Sequence, residues 1–369
     1  MGLKAITLAA HARRPLRYWA PSLQEATVAQ SRRFTLVLGG GGMRGLAHVG
    51  VLHALQEHHL LPAEVVGSSV GSLVAAGWCA GMSVSDMQDV ALQLRRRDLF
   101  QVAHGDMALM RLRAPAIYRG EPLADFVRGL LGDITFAELK HPLVVNTVDI
   151  NSGTQVFWGR PGLRDVPVAD AVIASCTMPG FLPPHEIAGR FFVDGAAAAN
   201  LPVHPAAAED RDLAIAVDVS GRGREGLATQ RTGFAAVYAR ATEIGVQHMD
   251  ETALRAWQRP PLLYIRPRVW HVDLLSFHHN PELIEAGYRA AHDVLDAPHG
   301  LPPADATGVH PGRRVRVRID RDLCVGCGAC VIQGPPHQFR MDDGGKAVVT
   351  DATPIWSPVD GLCVTQCPT

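Results

Sequence analysis

Two glycine-flanked turns, one βα unit apart, constrain this chain more than any other feature. Phe34-Thr-Leu-Val-Leu38 is a short apolar run of the kind that forms a strand buried on both faces. Gly39-Gly-Gly-Gly-Met-Arg-Gly45 follows directly, and Leu46, Val49, Leu52 and Leu55 then recur at near-helical spacing. A loop of this kind can bring several backbone N–H groups onto one negative oxygen, helped by the positive end of the helix behind it. Glu64-Val-Val66 begins a second strand that enters Gly67-Ser-Ser-Val-Gly71, and Ser72–Ala80 reads as a small-residue helix packed closely on the sheet. In G-x-S-x-G the central residue, here Ser69, occupies a sharp strand-to-helix turn that pushes its hydroxyl outward. Gly67 and Gly71 are required there because neighbouring side chains would collide. Further strands are expected at 143–148, 155–158 and 213–219, alternating with helices. That alternation predicts an α/β fold with a mostly parallel, helix-covered sheet.

The anion at residues 39–45 has two readings. Gly40, Gly42 and Gly45 fit the G-x-G-x-x-G of a dinucleotide site, but that fold places an acid at the end of the next strand to hold the ribose. Here the next strand ends in Gly67 and Ser68, with Glu64 near its beginning. The serine turn favours the other reading, an oxyanion. Serine is a poor nucleophile unaided and needs a base and a site for the oxyanion. Each donor in such a site contributes about 10²–10³ in rate. The identity of the base is open at this point. The chain has 17 His, but His48 falls in the first helix and His185 and His204 in loops, none within a supporting local pattern. Asp194, in Phe191-Phe-Val-Asp-Gly-Ala196, ends an apolar strand on a tight turn; residue types alone fit an ordinary Asp-Gly turn equally well.

Gly40-Gly-Gly-Met-Arg-Gly45, Gly67-Ser-Ser-Val-Gly71 and Asp194-Gly-Ala196, in this order, resemble the three signatures of bacterial patatin-like phospholipases. Asn146-Thr-Val-Asp-Ile-Asn-Ser-Gly153 and Ala174-Ser-Cys-Thr-Met-Pro-Gly-Phe-Leu-Pro-Pro184 are similar to supporting stretches of that family, and the likeness covers roughly residues 34–290. Small departures are Ser68 and Val70 beside the nucleophile and Ala196 after the acid, none of which removes a functional atom. The resemblance implies a three-layer sandwich and a Ser–Asp dyad without histidine, mapping onto Ser69 and Asp194. It implies hydrolysis of acyl esters in phospholipids, lysophospholipids or neutral lipids. On that basis the oxyanion donors are expected among the amides of Gly40, Gly41, Gly42 and Val70. Arg44 and Gly45 support the loop, Arg44 by bracing it or by meeting a lipid phosphate. A carboxylate with an ordinary pKa near 4 is a weak base for serine, so Asp194 is expected to be partly buried and tuned upward.

The cysteines carry a second chemistry. Cys324-Val-Gly-Cys327-Gly-Ala-Cys330, followed by Cys367-Pro368, has the spacing that wraps three thiolates around an iron–sulfur cube and brings a fourth from a distance. Structural zinc favours two separate C-x-x-C pairs, and the second pair is missing. Residues 313–369 resemble bacterial ferredoxins. A two-cluster ferredoxin would have cysteines where Gly334-Pro335, Ser357 and Asp360 stand, so one [4Fe-4S] cluster is expected, on Cys324, Cys327, Cys330 and Cys367. Loss of Cys327 from the shell would give a [3Fe-4S] form. Cys363 is left over.

Charge and organisation bound the rest. The balance of 35 basic against 36 acidic residues leaves no field to attract phosphate and argues against a nucleic-acid protein. Residues 1–33 hold Lys4, Arg13, Arg14, Arg17, Arg32 and Arg33 against Glu25 alone, a net +5. This reads as a basic arm, loosely attached, or as a strip for anionic headgroups at about 1 kcal/mol per cation. Residues 3–10 are too short and poorly flanked for a secretory segment, and tight C-x-x-C spacing belongs to a reducing compartment, so a cytoplasmic location, peripheral to the membrane through the arm, is expected. The domain plan is a 1–33 arm, a 34–296 patatin-like acyl hydrolase, a Pro-rich 297–312 linker and a 313–369 α+β ferredoxin-like domain. Ester hydrolysis moves no electrons, which leaves the cluster to sense redox state or dock a redox partner protein. The rival class is an electron carrier whose hydrolase-like domain is a lipid- or partner-binding scaffold. A nicotinamide dehydrogenase feeding the cluster would require NAD at residues 39–45.

Overall fold

A computed structural model describes residues 32–103, 116–208, 210–220, 234–298, 300–365 and 367–368. Its centre is a nine-stranded sheet. Strands β1 (Phe34–Leu38), β2 (Glu64–Ser68) and β3 (Leu143–Asp149) run parallel, and β4 (Gln155–Trp158) pairs antiparallel with β3. The short β5 (His185–Ile187) and β6 (Arg190–Asp194) add an antiparallel edge, with Thr147 of β3 opposite Asp194. On the other side of β1 follow β7 (Leu213–Val217), β8 (Leu262–Ile265) and β9 (Val309–His310), all parallel.

The near-continuous apolar strands are explained by what covers them. Leu36, Leu38, Val65, Val145, Ile215 and Leu263 belong to one buried cluster, while Val37, Val66, Val144, Ala214, Ala216 and Leu262 belong to another. Successive residues of a strand point to opposite faces, so both faces are dry. The first face is covered by α1 (Ala47–Glu57), α2 (Val70–Ala80), α3 (Val84–Gln93), α4 (Arg96–Leu99), α5 (Glu121–Leu131), α6 (Val168–Cys176) and, further along, Asn280–Leu295. The second is covered by α7 (His204–Ala207) and the end of α8 (Phe234–Ala256), with the Asn280–Leu295 helix numbered α9. This is the expected three-layer α/β/α arrangement. No helix among the described residues is long and apolar enough to cross a membrane.

The C-terminal domain is small. β10 (Arg313–Arg314) pairs with β13 (Ile355–Trp356), and β11 (Phe339–Met341) with β12 (Ala347–Val349), both antiparallel. Helices α10 (Ala329–Gln333) and α11 (Leu362–Thr365) pack beside them, and the buried apolar centre is Val317, Phe339, Trp356 and Cys363. The stretch expected as a linker differs from that expectation at its end, because Val309 and His310 pair with Leu262 and Leu263 and extend the large sheet. Two residues are too few to leave a periodic signal. The basic arm lies outside the described residues except for Arg32 and Arg33. The Arg33 N–H donates to Asp212 Oδ2 at 2.9 Å, and Arg32 Nη2 donates to the Asp212 carbonyl at 2.7 Å.

Candidate active site and cysteine centre

Ser69 stands between β2 and α2 with φ 52° and ψ −132°, a conformation that side chains other than glycine rarely adopt. Strain of this kind costs about 1–3 kcal/mol and persists only where the surroundings over-determine it. They do so here. The Ser69 N–H donates to Ser175 Oγ at 2.9 Å, and Ser175 Oγ donates on to the Asn146 carbonyl at 2.7 Å. The Ser69 carbonyl accepts from the Ser72 N–H at 2.8 Å and from Ser72 Oγ at 2.6 Å. A Cβ on Gly67 would lie 2.5 Å from Ser72 Cα, and one on Gly71 only 2.3 Å from the Leu38 carbonyl oxygen. The turn therefore closes only with glycine at both flanks.

Asp194 ends β6 and is 4% exposed. Its N–H donates to the Thr177 carbonyl at 2.9 Å, and its Oδ1 accepts from the Ala196 N–H at 2.9 Å. The Ser69 side chain is near enough to the same carboxyl group to lower its pKa slightly, which brings together two residues far apart in the chain. Burial raises the Asp194 pKa from its ordinary range to about 6, against the opposing pull of the Ala196 hydrogen bond and the Ser69 side chain. The neighbouring Cys176 thiol is pushed up by burial and then by the Asp194 charge, so it stays protonated. None of the three histidines weighed above takes this place. His48 is buried with Nε2 2.7 Å from the Gly39 carbonyl, and burial lowers its pKa to about 4. His185 pairs with Asp170 at 3.2 Å, and His204 is exposed at the start of α7.

The glycine loop presses against this pair. A Cβ on Gly40 would stand 3.0 Å from Ser69 Cβ and 2.5 Å from Asn200 Oδ1, one on Gly41 2.7 Å from Val219, and one on Gly42 2.4 Å from the Leu274 carbonyl oxygen. The Gly40 N–H is already engaged, donating to the Asn200 carbonyl at 3.0 Å. Gly40 therefore shapes the loop instead of serving as an anion donor. Among the described residues no backbone acceptor takes the N–H of Gly41 or Gly42. The Val70 N–H, at the first position of α2, has no intrahelical partner by construction. Gly45 seats the loop on α2, since a Cβ there would meet Val70 Cγ1 at 2.7 Å. Arg44 is buried and braces the loop from behind, with Nε donating to the Val272 carbonyl at 2.6 Å and Nη2 to the Trp270 carbonyl at 3.4 Å. Sequence reasoning missed Ser175, Asn146 and Asn200 as positioning groups. Their partners are distant in the chain, and a small polar residue in an apolar run gives no signal of what it bonds.

In the C-terminal domain, Cys324, Cys327 and Cys330 surround a tight loop in which Gly326 and Gly328 both have φ +71°. The Cys324 sulfur accepts N–H groups from Ala347 and Gly326 and faces Lys346 and Arg321, which together lower its pKa. Cys330 is raised by burial and then by the nearby Cys324 and Cys327, and Cys363 by burial and then by Cys330. A set of soft thiols with backbone N–H groups directed at sulfur fits an iron–sulfur cluster. Cys367 is partly exposed, whereas Cys363 is 2% exposed in the domain's apolar centre.

Fold and site together define an α/β domain built around a serine on a strained turn, joined to a cysteine-rich module. Residues 36–207 match the family described as patatin-like phospholipase, and residues 317–357 match the 4Fe-4S single cluster domain. The chain carries a patatin-like phospholipase domain followed by a 4Fe-4S single-cluster domain. Over 202 residues it is 32% identical to an uncharacterized NTE family protein of Mycobacterium tuberculosis, covering 55% of this chain and 53% of the relative. It is 29% identical over 172 residues to the neuropathy target esterase sws of Drosophila grimshawi, covering 45% of this chain and 11% of that protein. Among solved structures it is similar to VipD from Legionella pneumophila, with a TM-score of 0.41, 12% identity, and 72% and 67% of the two chains covered. The chain spans about half the length of the mycobacterial relative.

Proposed function

We propose that this protein is a lipid acyl hydrolase that cleaves carboxylic esters through an acyl-enzyme on Ser69. Asp194 accepts the Ser69 proton as Oγ attacks the ester carbonyl. The N–H groups of Gly41, Gly42 and Val70 hold the oxyanion of the tetrahedral intermediate, which collapses as Asp194 passes the proton it took from Ser69 to the leaving oxygen, so that the alcohol departs and Asp194 is again ionised. Asp194 then takes a proton from water, the water attacks the acyl-enzyme, and the fatty acid leaves as Ser69 recovers its proton. The observation that carries this reading is a strained serine placed beside a buried carboxyl group whose pKa burial raises to about 6. A base of that strength is ionised at neutral pH yet strong enough to accept a proton as serine attacks. The same strain weighs against a retired scaffold, which has no use for it.

A [4Fe-4S] cluster would be held by Cys324, Cys327, Cys330 and Cys367, and when bound it supplies one-electron chemistry. It has no part in ester cleavage, so we assign it to redox sensing or to docking a redox partner protein. Contact with a lipid surface is part of the proposal, with the basic arm as the anchoring element.

Incubating the purified protein with a mixed lipid extract and identifying the released fatty acid and lyso-product tests the reading. Wild type is expected to release fatty acid, and Ser69→Ala and Asp194→Asn to release none while remaining folded. Full activity in either variant would overturn the dyad.

A further inference from the structure

At the far end of α1 from the glycine loop, three ligand-type atoms converge from two helices. His58 caps the C-terminus of α1, and His292 and Asp296 occupy one face of the last turn of α9, four residues apart. His58 Nε2 lies 3.4 Å from His292 Nδ1 and 3.2 Å from Asp296 Oδ1, and His292 Nδ1 lies 2.8 Å from Asp296 Oδ2. Among the described residues this is the one group of three or more His, Cys, Asp or Glu ligand atoms gathered so tightly. The two helices meet closely because each presents a glycine: a Cβ on Gly50 would stand 1.9 Å from the Ile284 carbonyl oxygen, and one on Gly287 1.8 Å from that of Ala47.

Behind the group stands a carboxylate of the kind that orients metal-binding histidines. Glu57 Oε2 lies 3.0 Å from His292 Nε2 and accepts from the Tyr288 hydroxyl at 2.8 Å. With the Nε2 proton of a neutral His292 given to Glu57, Nδ1 turns a lone pair toward the Asp296 carboxylate and toward His58. Three electron-rich atoms then share one small space, where a positive charge is favoured, carried either by a second proton on His292 or by a metal ion. Two helix C-termini end there, and their partial negative charge favours a cation. Zinc–nitrogen and zinc–oxygen bonds of about 2.0–2.2 Å place tetrahedral ligand atoms roughly 3.3–3.5 Å apart. The spacing between the two imidazoles falls in that range, whereas the carboxylate, 3.2 Å from His58 and at hydrogen-bond distance, 2.8 Å, from His292, has to swing outward to admit the ion.

We propose that His58, His292 and Asp296 form a divalent transition-metal site, with zinc as its natural occupant, and that Glu57 orients His292 from behind. Three protein ligands leave one position for water. The metal clasps α1 to α9 and stabilises the helix pair that supports the glycine loop at its other end.

The test uses the full chain with its cluster loaded, so that the cysteines are occupied, and zinc chloride as the probe. Bound zinc is counted after gel filtration and thermal unfolding is followed with and without the ion. Wild type is expected to retain one zinc and to melt at a higher temperature with it. His58→Gln with His292→Gln is expected to lose both responses, and Glu57→Gln to weaken binding by about 10–100-fold. Asp296→Asn, at an exposed position, provides a ligand variant that folds normally, with hydrolysis of a short soluble ester unchanged and zinc retention reduced. Equal zinc retention and equal thermal shifts in wild type and variants would overturn the site, as would no binding by wild type. In that case the group is a hydrogen-bonded network only.

Discussion

Asp194 concentrates the chemistry of this protein in one carboxyl group. Because burial raises its pKa to about 6, kcat/KM for ester cleavage is expected to rise with pH through about 6 as the base ionises, then level off. The same shift has a cost in stability. A carboxyl group whose folded pKa exceeds its unfolded value binds its proton more tightly when folded, so its contribution declines as pH rises from about 4 through about 6. Asp194→Asn removes that decline. Thermal unfolding should find the variant inactive and more stable than wild type at pH 8, by up to about 3 kcal/mol, with the advantage shrinking toward pH 4. An Asp194→Asn protein equally destabilised at both pH values would contradict this. Ser175→Ala deprives the buried Ser69 N–H of its acceptor, a loss of about 1–3 kcal/mol, and hydrolysis should fall with it. The turn at Ser69 was legible in the sequence because its flanking glycines are a residue-type requirement, whereas Asp194 sits on a turn that is ordinary by residue type and was singled out by the family resemblance. Ser175 was not, because its role depends on which element folds against the turn.

The elements behind these residues were legible in proportion to their length. β1, β2 and β3 read as apolar runs, and α1 and α2 as the helices that follow their turns. β5 and β9, at three and two residues, are too short to carry a period and exist because neighbouring strands offer open edges. The difference between Gly40, whose N–H is engaged, and Gly41 and Gly42, whose N–H groups meet no backbone acceptor among the described residues, was likewise hidden, because it depends on the carbonyl of Asn200 arriving from a distant segment. Glycines that look alike in sequence are expected to behave differently when replaced. Gly71→Ala would set a Cβ 2.3 Å from the Leu38 carbonyl oxygen, where only backbone movement relieves the clash, and soluble folded protein should be largely lost. Gly129→Ala, inside α5 with nothing within 4 Å of the added carbon, should stabilise by about 0.5–1 kcal/mol. Chemical denaturation of the two variants side by side checks the contrast.

The two modules differ in how they are held together. The patatin-like domain buries both faces of a nine-stranded sheet, whereas among the described residues the apolar cluster inside the C-terminal domain consists of Val317, Phe339, Trp356 and Cys363. A core that small rarely suffices without a metal or cross-link. Removing the cluster by Cys324→Ser should therefore loosen residues 313–369 to limited proteolysis while a resistant fragment containing β1 to β8 survives. If the small domain stays equally resistant, its fold does not depend on the cluster. The fusion itself was visible from the cysteine spacing and the glycine turns, but the sequence carries no sign of what one module does for the other. Every step of the proposed ester cleavage depends on Ser69 being an activated nucleophile. Intact mass spectrometry after treatment with a fluorophosphonate probe measures that directly. We expect a single adduct that maps to Ser69 and disappears in both Ser69→Ala and Asp194→Asn. An unlabelled wild-type protein, or an adduct elsewhere that survives Ser69→Ala, would contradict it.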